Sequence, residues 1–259
     1  RRAADFSLLA LGASVASLAG PVASGVLIDL AGHRAAFAAA TALTLANGAL
    51  LYLHRHRTPA QPAAPQPAEP RPMFDLLTVP DVRNVLVAVV LISMSWDLQT
   101  FMIPVHGTAV GLPASQIGLV LGSFAAATFV IRLAMPALSR RFSEWQVLTF
   151  TLFAAALAFA LIPWFGSLLP LAGCAFLLGL GLGAAMPNVM SLLHARTPEG
   201  RVGEALGLRT TLMNGSHVML PLVFGAAGSL LGAQVVFVLM AVALAAGGVR
   251  ARRLAREGA

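Results

Sequence analysis

The feature that most restricts the fold is a series of long apolar runs. A helix needs about 17 to 25 predominantly apolar residues to cross a hydrocarbon core of about 30 Å. Eight runs approach or exceed this length: residues 6–28, 35–53, 84–105, 113–138, 146–165, 168–192, 207–229 and 232–249. None has the alternating polarity of a half-buried strand. The sequence therefore predicts an all-α, polytopic membrane bundle with eight transmembrane helices.

Composition also identifies lipid as the main solvent of the chain. Hydrophobic residues make up 58% and charged residues only 10% of its 259 residues, and the mean hydropathy is +0.82. A water-soluble domain of this size carries about 25% charged residues on its surface and loops. A soluble enzyme or a soluble binding module is therefore excluded.

The basic residues predict the orientation of the chain in the membrane. They are all arginines, and they cluster at alternate span ends, in residues 1–2, 55–83, 140–141, 196–201 and 250–256. Arginine-rich connections remain on the cytoplasmic side. We therefore expect a multi-pass protein of the plasma or inner membrane with both termini cytoplasmic. The net charge of +7 is a topology signal and does not indicate a nucleic-acid partner.

A proline-rich segment predicts how the chain is divided. Residues 54–83 hold six prolines between Pro59 and Pro72, which favours extended, solvated backbone. We interpret 54–83 as a cytoplasmic linker between a helix pair in 1–53 and six helices in 84–249. Residues 250–259 are predicted to form an arginine-rich cytoplasmic tail.

The first helix pair repeats the last pair at an offset of 200 residues. The matches include Pro21 with Pro221, Gly25 with Gly225, Gly32 with Gly232 and Phe37 with Phe237. If the last pair closes a six-helix unit, the first pair closes another, and four further helices are expected before Arg1. The complete molecule is then a six-plus-six parallel repeat, which is one plan of membrane transporters.

On these features the chain resembles helices five to twelve of a major facilitator superfamily transporter. Two motifs add to the resemblance. The first helix carries a Gly-Pro element similar to that of the family's antiporters, formed by Gly12, Gly20, Pro21 and Gly25; Ala16 and Ser24 replace glycines of the fuller pattern. Ser139, Arg140 and Arg141 resemble the family's Asp-Arg loop motif, with serine in place of the acid. The resemblance implies a monomer.

Asp97 is the first candidate for chemistry, because an acid near a helix centre is costly in lipid. It lies near the middle of the third span and shares a predicted helix face with Ser93, Thr100 and Pro104. A carboxyl group there can exchange a proton as its cavity opens to each side. A buried structural carboxyl is the alternative.

The seventh span repeats this spacing with Thr210, Asn214, His217 and Pro221. An imidazole titrates near physiological pH, so His217 is a candidate proton relay or substrate contact, with Asn214 beside it. An ordinary interhelical hydrogen bond is the alternative. Asp97 and His217 are predicted to lie at similar depth.

Arg132 lies about 10 Å inside the predicted cytoplasmic end of the fourth span. It is a candidate for a gating ion pair, for an anionic substrate contact or for a snorkelling side chain. Asn188, on a span with Gly179, Gly181 and Gly183, is expected to line the same route, although the glycines themselves indicate close helix packing.

Trp96 and Gln99 are candidates for an aromatic wall and a hydrogen bond.

Enzyme, cofactor and metal motifs are missing from the sequence. It has no Walker-type Gly-Lys-Ser/Thr loop, no His-Glu-x-x-His helix and no Gly-x-Ser-x-Gly elbow, and Cys174 is its single cysteine. We therefore predict no enzyme activity, no cofactor and no metal site.

The resemblance implies a secondary transporter that moves a small organic solute by alternating access, and its Gly-Pro element implies proton-coupled export, with Asp97 as the expected proton site. Two alternatives stay open. One is a membrane sensor or scaffold that keeps the fold without transport, and the other is an inert fragment.

Overall fold

The computed structural model describes residues 2–54 and 73–257, with side chains for 16–54 and 74–256 except 220, 221, 227 and 229–231. Its α-helices are α1 (Arg2–Leu53), α2 (Pro80–Ala109), α3 (Ala114–Leu138), α4 (Glu144–Leu161), α5 (Leu168–Arg196), α6 (Val202–Leu231) and α7 (Ala233–Glu257). Two 3₁₀ segments, Met73–Thr78 and Ile162–Trp164, complete the regular structure of these ranges. The predicted all-α class is confirmed for them.

Six segments of the described residues are long and apolar enough to cross a membrane: Ala16–Leu53, Pro80–Ala109, Ala114–Leu138, Glu144–Trp164, Leu168–Arg196 and Ala233–Arg256. This supports the membrane bundle but does not confirm eight spans. The first segment includes both the second predicted span and most of the first. The predicted span at 207–229 lies in α6, which is not among the six. The number eight therefore stays a prediction.

Several helices extend beyond the apolar runs that predicted them. Helix α2 begins at Pro80 instead of residue 84, and α6 begins at Val202 instead of 207. Helix α7 continues past residue 249 to Glu257, so the described part of the arginine-rich tail is helical. Hydropathy locates the part of a helix that lies in lipid, whereas backbone hydrogen bonding extends the helix into the membrane–water interface.

The predicted linker is only partly within the described residues, because 55–72 lie outside them. The described end of the linker differs from the expected solvated chain. Met73–Thr78 forms a 3₁₀ turn that packs against α2 and α6, and Leu76 is fully buried there. Burial of the Leu76 side chain lowers the free energy of this segment by more than solvation of the surrounding chain does.

The predicted repeat has a structural counterpart in two glycines. Gly32 interrupts α1 with φ 80° and ψ 168°, and Gly232 separates α6 from α7 with φ 87° and ψ 150°. This conformation is accessible mainly to glycine. The two helix pairs therefore turn in the same way at positions 200 residues apart, which supports the repeat.

Glycines set the closest helix contacts of the bundle. Helix α3 packs against α1 and α5, while α4 packs against α5 and α7, and α2 lies against α6, α5 and α7. A side chain on Gly118 would overlap Pro21 of α1, and one on Gly179 would overlap the carbonyl group of Phe124 on α3. Close packing, the structural alternative for the α5 glycines, is thus confirmed.

The buried core and the exposed surface are both apolar. Phe159 of α4 stacks with Phe237 of α7 at a centroid distance of 6.1 Å in the interior. On the outside, Leu133, Leu157 and Val242 expose more than half of their surface. Such exposure suits a lipid-facing surface and is unfavourable in water.

Candidate functional site

A cavity of about 300 Å³ lies between α1, α2 and α3. Helix α2 contributes Trp96, Gln99 and Thr100 to its wall, and α3 contributes Arg132. The remaining lining residues are mostly apolar or small: Ser17, Pro21, Leu121, Phe124, Ala125, Thr128 and Phe129. Three residues singled out from the sequence, Trp96, Gln99 and Arg132, therefore share one cavity.

The α2 wall of this cavity combines an aromatic surface with polar groups. The indole ring of Trp96 meets Phe124 edge to face at a centroid distance of 4.9 Å, which holds the indole against α3. Trp96 Nε1 and Gln99 Oε1 are buried and make no hydrogen bond within the part of the chain that the structure describes. Since neither atom is accessible at the surface, a solute in the cavity would meet the indole ring and the other atoms of these side chains.

Asp97 does not line this cavity but contacts α6 instead. Its Oδ1 lies 2.6 Å from Nδ1 of His217, a contact that becomes an ion pair when the imidazole is protonated. The side chain of Asp97 is 20% exposed and that of His217 is 47% exposed, so the pair is open on the histidine side. Asp97 Oδ2 is buried without a described hydrogen-bond partner.

The Asp97–His217 pair lies near the middle of both helices. Asp97 is about 25 Å from the start of α2 and about 18 Å from its end, and His217 is about 22 Å from the start of α6. The two residues were expected at similar depth, and the structure brings them into contact. Asp97 follows Trp96 directly, so one member of the pair is adjacent in the chain to the cavity wall.

Arg132 lies about 9 Å from the end of α3 and reaches the cavity from that side. Its side chain is exposed and makes no ion pair with the residues whose side chains are described. Of its three predicted roles, the gating ion pair therefore has no described partner. The position in the cavity wall suits a ligand contact.

The two asparagines lie apart from the cavity. Asn188 is buried, and its Nδ2 donates to the carbonyl oxygen of Ala184 in its own helix. It lines a second hollow of about 470 Å³, together with Pro136, which is one turn beyond Arg132. Asn214 is exposed on α6, three residues before His217.

The Gly-Pro element of α1 faces α3, at least in its described part. Gly25 packs against the backbone of Ala114 without room for a side chain, and Pro21 lines the cavity. Gly20 has open space around it. The surroundings of Gly12 lie outside the residues with described side chains. Arg140 is exposed in the turn after α3.

Sequence reasoning missed an interhelical cap. Asp29 of α1 accepts hydrogen bonds from the backbone N–H groups of Ala114 and Ser115, at 2.9 and 2.8 Å, where α3 begins. Pro113, the N-cap residue of α3, supplies no side-chain hydrogen bond, so Asp29 serves as the cap from another helix. The partners are 85 and 86 residues apart, and no local pattern indicates the contact.

Arg209 was also missed. It is the third residue of the predicted span at 207–229, and it was named neither as a candidate for chemistry nor among the arginine clusters. Because α6 begins at Val202, Arg209 lies about 10 Å inside the helix. It is partly buried, with Nη2 2.9 Å from the sulfur of Met186 on α5 and with Nε lacking a described partner. An arginine within the first turn of the predicted span at 207–229 was the available signal.

The described residues hold no cluster of three or more His, Cys, Asp or Glu side chains that could bind a metal ion. The arrangement instead provides a hollow with polar contacts and a separate titratable pair.

Comparison with known protein families gives the class of the chain. The model of the Major Facilitator Superfamily matches residues 1–172 and residues 85–258, which together include almost the whole chain. No match was found among curated proteins.

Proposed function

The chain belongs to the major facilitator superfamily of membrane transporters, and from this premise we propose that it moves a small organic solute by proton-coupled alternating access. Members of this class rock two helix bundles around a central site and draw on an ion gradient. The proposal names a substrate cavity, a proton site and a direction.

The substrate cavity is the hollow between α1, α2 and α3. Its volume of about 300 Å³ is at the lower end for small-molecule sites. Trp96 and Phe124 offer apolar contact, Gln99 offers hydrogen bonding, and Arg132 offers a planar cation for a carboxylate or similar anion. A compact solute with an apolar or aromatic body and an anionic group fits this wall.

The proton site is the Asp97–His217 pair. Protonation of the carboxyl group removes the acceptor charge from the 2.6 Å contact and weakens the tether between α2 and α6. Trp96 and Gln99 are on the same helix as Asp97, so a change in the tether shifts the cavity wall. Proton occupancy and substrate affinity are thereby coupled, as a proton-driven transporter requires.

Export is the direction that the Gly-Pro element supports, through its similarity to the family's antiporters. Gly25 lets the backbones of α1 and α3 approach closely on one side of the cavity. This contact joins the N-terminal helix pair to the six C-terminal helices, so rocking of the two halves against each other changes it. The plasma or inner membrane and cytoplasmic termini remain part of the proposal, with the arginine-rich ends inside.

The contact between Asp97 and His217 is the observation that carries proton coupling. The test uses the protein reconstituted in vesicles that enclose a pH-sensitive dye, with a panel of fluorescent aromatic acids as substrates. We expect a proton gradient to drive uptake by the wild type. Asp97→Asn should lose gradient-driven uptake but keep exchange of substrate across the membrane, because exchange needs no net proton movement.

Two further variants define the roles. Arg132→Gln should lose both gradient-driven uptake and exchange of acids, because the anion contact is removed. Asn47→Ala is the control, since Asn47 is exposed and, among the described residues, donates a hydrogen bond to the Leu43 carbonyl group of its own helix. Gradient-driven uptake that persists in Asp97→Asn would refute the proton site. Binding of acids with no flux in any variant would instead favour a membrane sensor.

A further inference from the structure

A basic hollow lies outside the proposed transport site, between α4 and α7. It has a volume of about 480 Å³ and is lined by Gln146, Thr149, Arg252, Ala255 and Arg256. Helix α4 begins and α7 ends here, so the hollow is at the end of the bundle that carries the arginine clusters.

An apolar groove adjoins this hollow. The groove has a volume of about 450 Å³, and its wall consists of Leu138, Phe142, Gln146, Val147 and Phe150. Gln146 belongs to both walls, so the two cavities meet at this residue. Phe142 and Phe150 expose about half of their surface, at 52% and 51%. The groove is therefore open at the outer surface of α4.

The charge of the hollow is uncompensated within the described residues. Arg252 and Arg256 are one helical turn apart and face the same side of α7. Neither forms an ion pair with a described side chain, and no carboxylate lines the hollow. Glu144, at the start of α4, accepts a hydrogen bond from Ser191 of α5 and lines a different hollow.

The position of Arg252 and Arg256 near the C-terminus of α7 does not explain why they line the hollow. Arginines there interact favourably with the helix dipole. Arg253 occupies the same turn and has the same charge, yet it does not line the hollow. Arg252 and Arg256 differ from it in facing α4, beside the apolar groove.

We propose that this composite surface binds an anionic phospholipid, whose phosphate group contacts Arg252 and Arg256 and whose acyl chain lies in the groove beside Phe150. Basic pockets between membrane helices bind the head groups of anionic lipids. A free phosphate ion would use the arginines but would gain nothing from the groove. A bound lipid bridges α4 and α7 and stabilises this end of the bundle.

Native mass spectrometry of the delipidated protein in micelles tests the proposal, with phosphatidylglycerol and phosphatidylcholine as probes. We expect phosphatidylglycerol to bind more tightly than phosphatidylcholine. Arg252→Gln with Arg256→Gln should weaken phosphatidylglycerol binding about thirtyfold, since each arginine near a membrane surface contributes about one kcal/mol towards anionic lipids. The matched control, Arg253→Gln, should bind as the wild type does.

A second pair of variants tests the acyl-chain groove without a change of charge. Phe150→Ala should weaken phosphatidylglycerol binding several-fold. Leu157→Ala is the control, because Leu157 is similarly exposed on α4, at 54%, and does not line the groove. Both positions are on the surface, so the fold should tolerate both changes.

Three results would overturn the proposal. Equal binding of the two lipids would indicate apolar adsorption alone. Full competition by glycerol phosphate would indicate an anion site without an acyl-chain site. Equal losses in Arg253→Gln and in the double variant would indicate diffuse attraction by the arginine-rich end.

Discussion

Gly179→Ala should destabilise the bundle, although alanine is the better helix former. An added Cβ would overlap the carbonyl oxygen of Phe124 and lie 2.9 Å from Cβ of Ala127 on α3. Carbon atoms prefer a separation of about 3.5–4.0 Å, so α5 must move away from α3 by about 1 Å. Overpacking of this kind costs about 1–3 kcal/mol, with the upper part expected here because a backbone carbonyl cannot rotate away.

The intrinsic preference for alanine offsets part of this cost. Replacing glycine inside a helix gains up to about 1 kcal/mol. The net loss for Gly179→Ala is then about 1–2 kcal/mol, which corresponds to a decrease in Tm of about 2–8 °C for a chain of this size. Gly173 provides the matched control on the same helix, since a side chain there meets nothing within 4 Å. Gly173→Ala should leave Tm unchanged or raise it.

The chain carries its own reporter for the assay. Cys174 is the single cysteine, and it is 6% exposed in α5. A thiol-reactive fluorogenic dye therefore labels the protein only when the bundle opens, and the labelling transition in detergent gives Tm. If Gly179→Ala has a Tm equal to or above that of Gly173→Ala, the close approach of α5 and α3 does not limit the packing of this bundle.

Three other changes test single contacts. Thr151→Val removes the 3.0 Å hydrogen bond from the buried Thr151 hydroxyl group to the Gly181 carbonyl group. Interhelical bonds in membrane proteins average about 0.6 kcal/mol, so Tm should decrease by only about 1–3 °C in the dye assay; a decrease beyond 5 °C would contradict this estimate. Asn84→Leu removes the acceptor for Nε and Nη2 of Arg250. Amide hydrogen exchange should then become faster in the last two turns of α7. Unchanged exchange would show that this contact does not hold the C-terminal end of α7. Asp29→Ala leaves the first two N–H groups of α3 without their cap. Hydrogen exchange of these two amides should be faster than in the wild type, and Asp29→Asn should be intermediate. Equal exchange in all three proteins would exclude capping by Asp29.

The candidate site was partly predictable because polar residues in a membrane span are few and costly. Trp96, Gln99 and Arg132 share a cavity, and Asp97 meets His217, although the sequence could not pair them. Their predicted roles in transport are still untested. Each residue could be identified from its side-chain type and its depth in the span, and both follow from the sequence of a single helix.

Other contacts of the bundle were beyond sequence reasoning. Asp29 directly follows the predicted span 6–28, where an acid is ordinary, and its partners are on another helix. Arg209 is only the third residue of the predicted span, because hydropathy places the start of a span later than backbone hydrogen bonding does. Asn188 was expected beside Arg132, yet it turned back to its own helix and lines the neighbouring hollow.

The membrane class, the all-helical structure and the repeat could be read from the chain itself. Transfer of apolar residues into lipid adds up along a segment, and a helix satisfies its backbone groups locally, so neither property needs a tertiary partner. The helical turn at Gly32 and its counterpart at Gly232 follow from the same local chemistry.

Which helix faces meet was decided only by the tertiary structure. Amphipathic helices reveal their buried side through a polar face, but these helices are apolar nearly all round and leave their rotation unspecified. Packing at Gly118 and Gly179 sets how α1, α3 and α5 fit together. The contact between Asp97 and His217, 120 residues apart in the chain, depends on how α2 and α6 are rotated against each other, and this rotation is a property of the packed bundle.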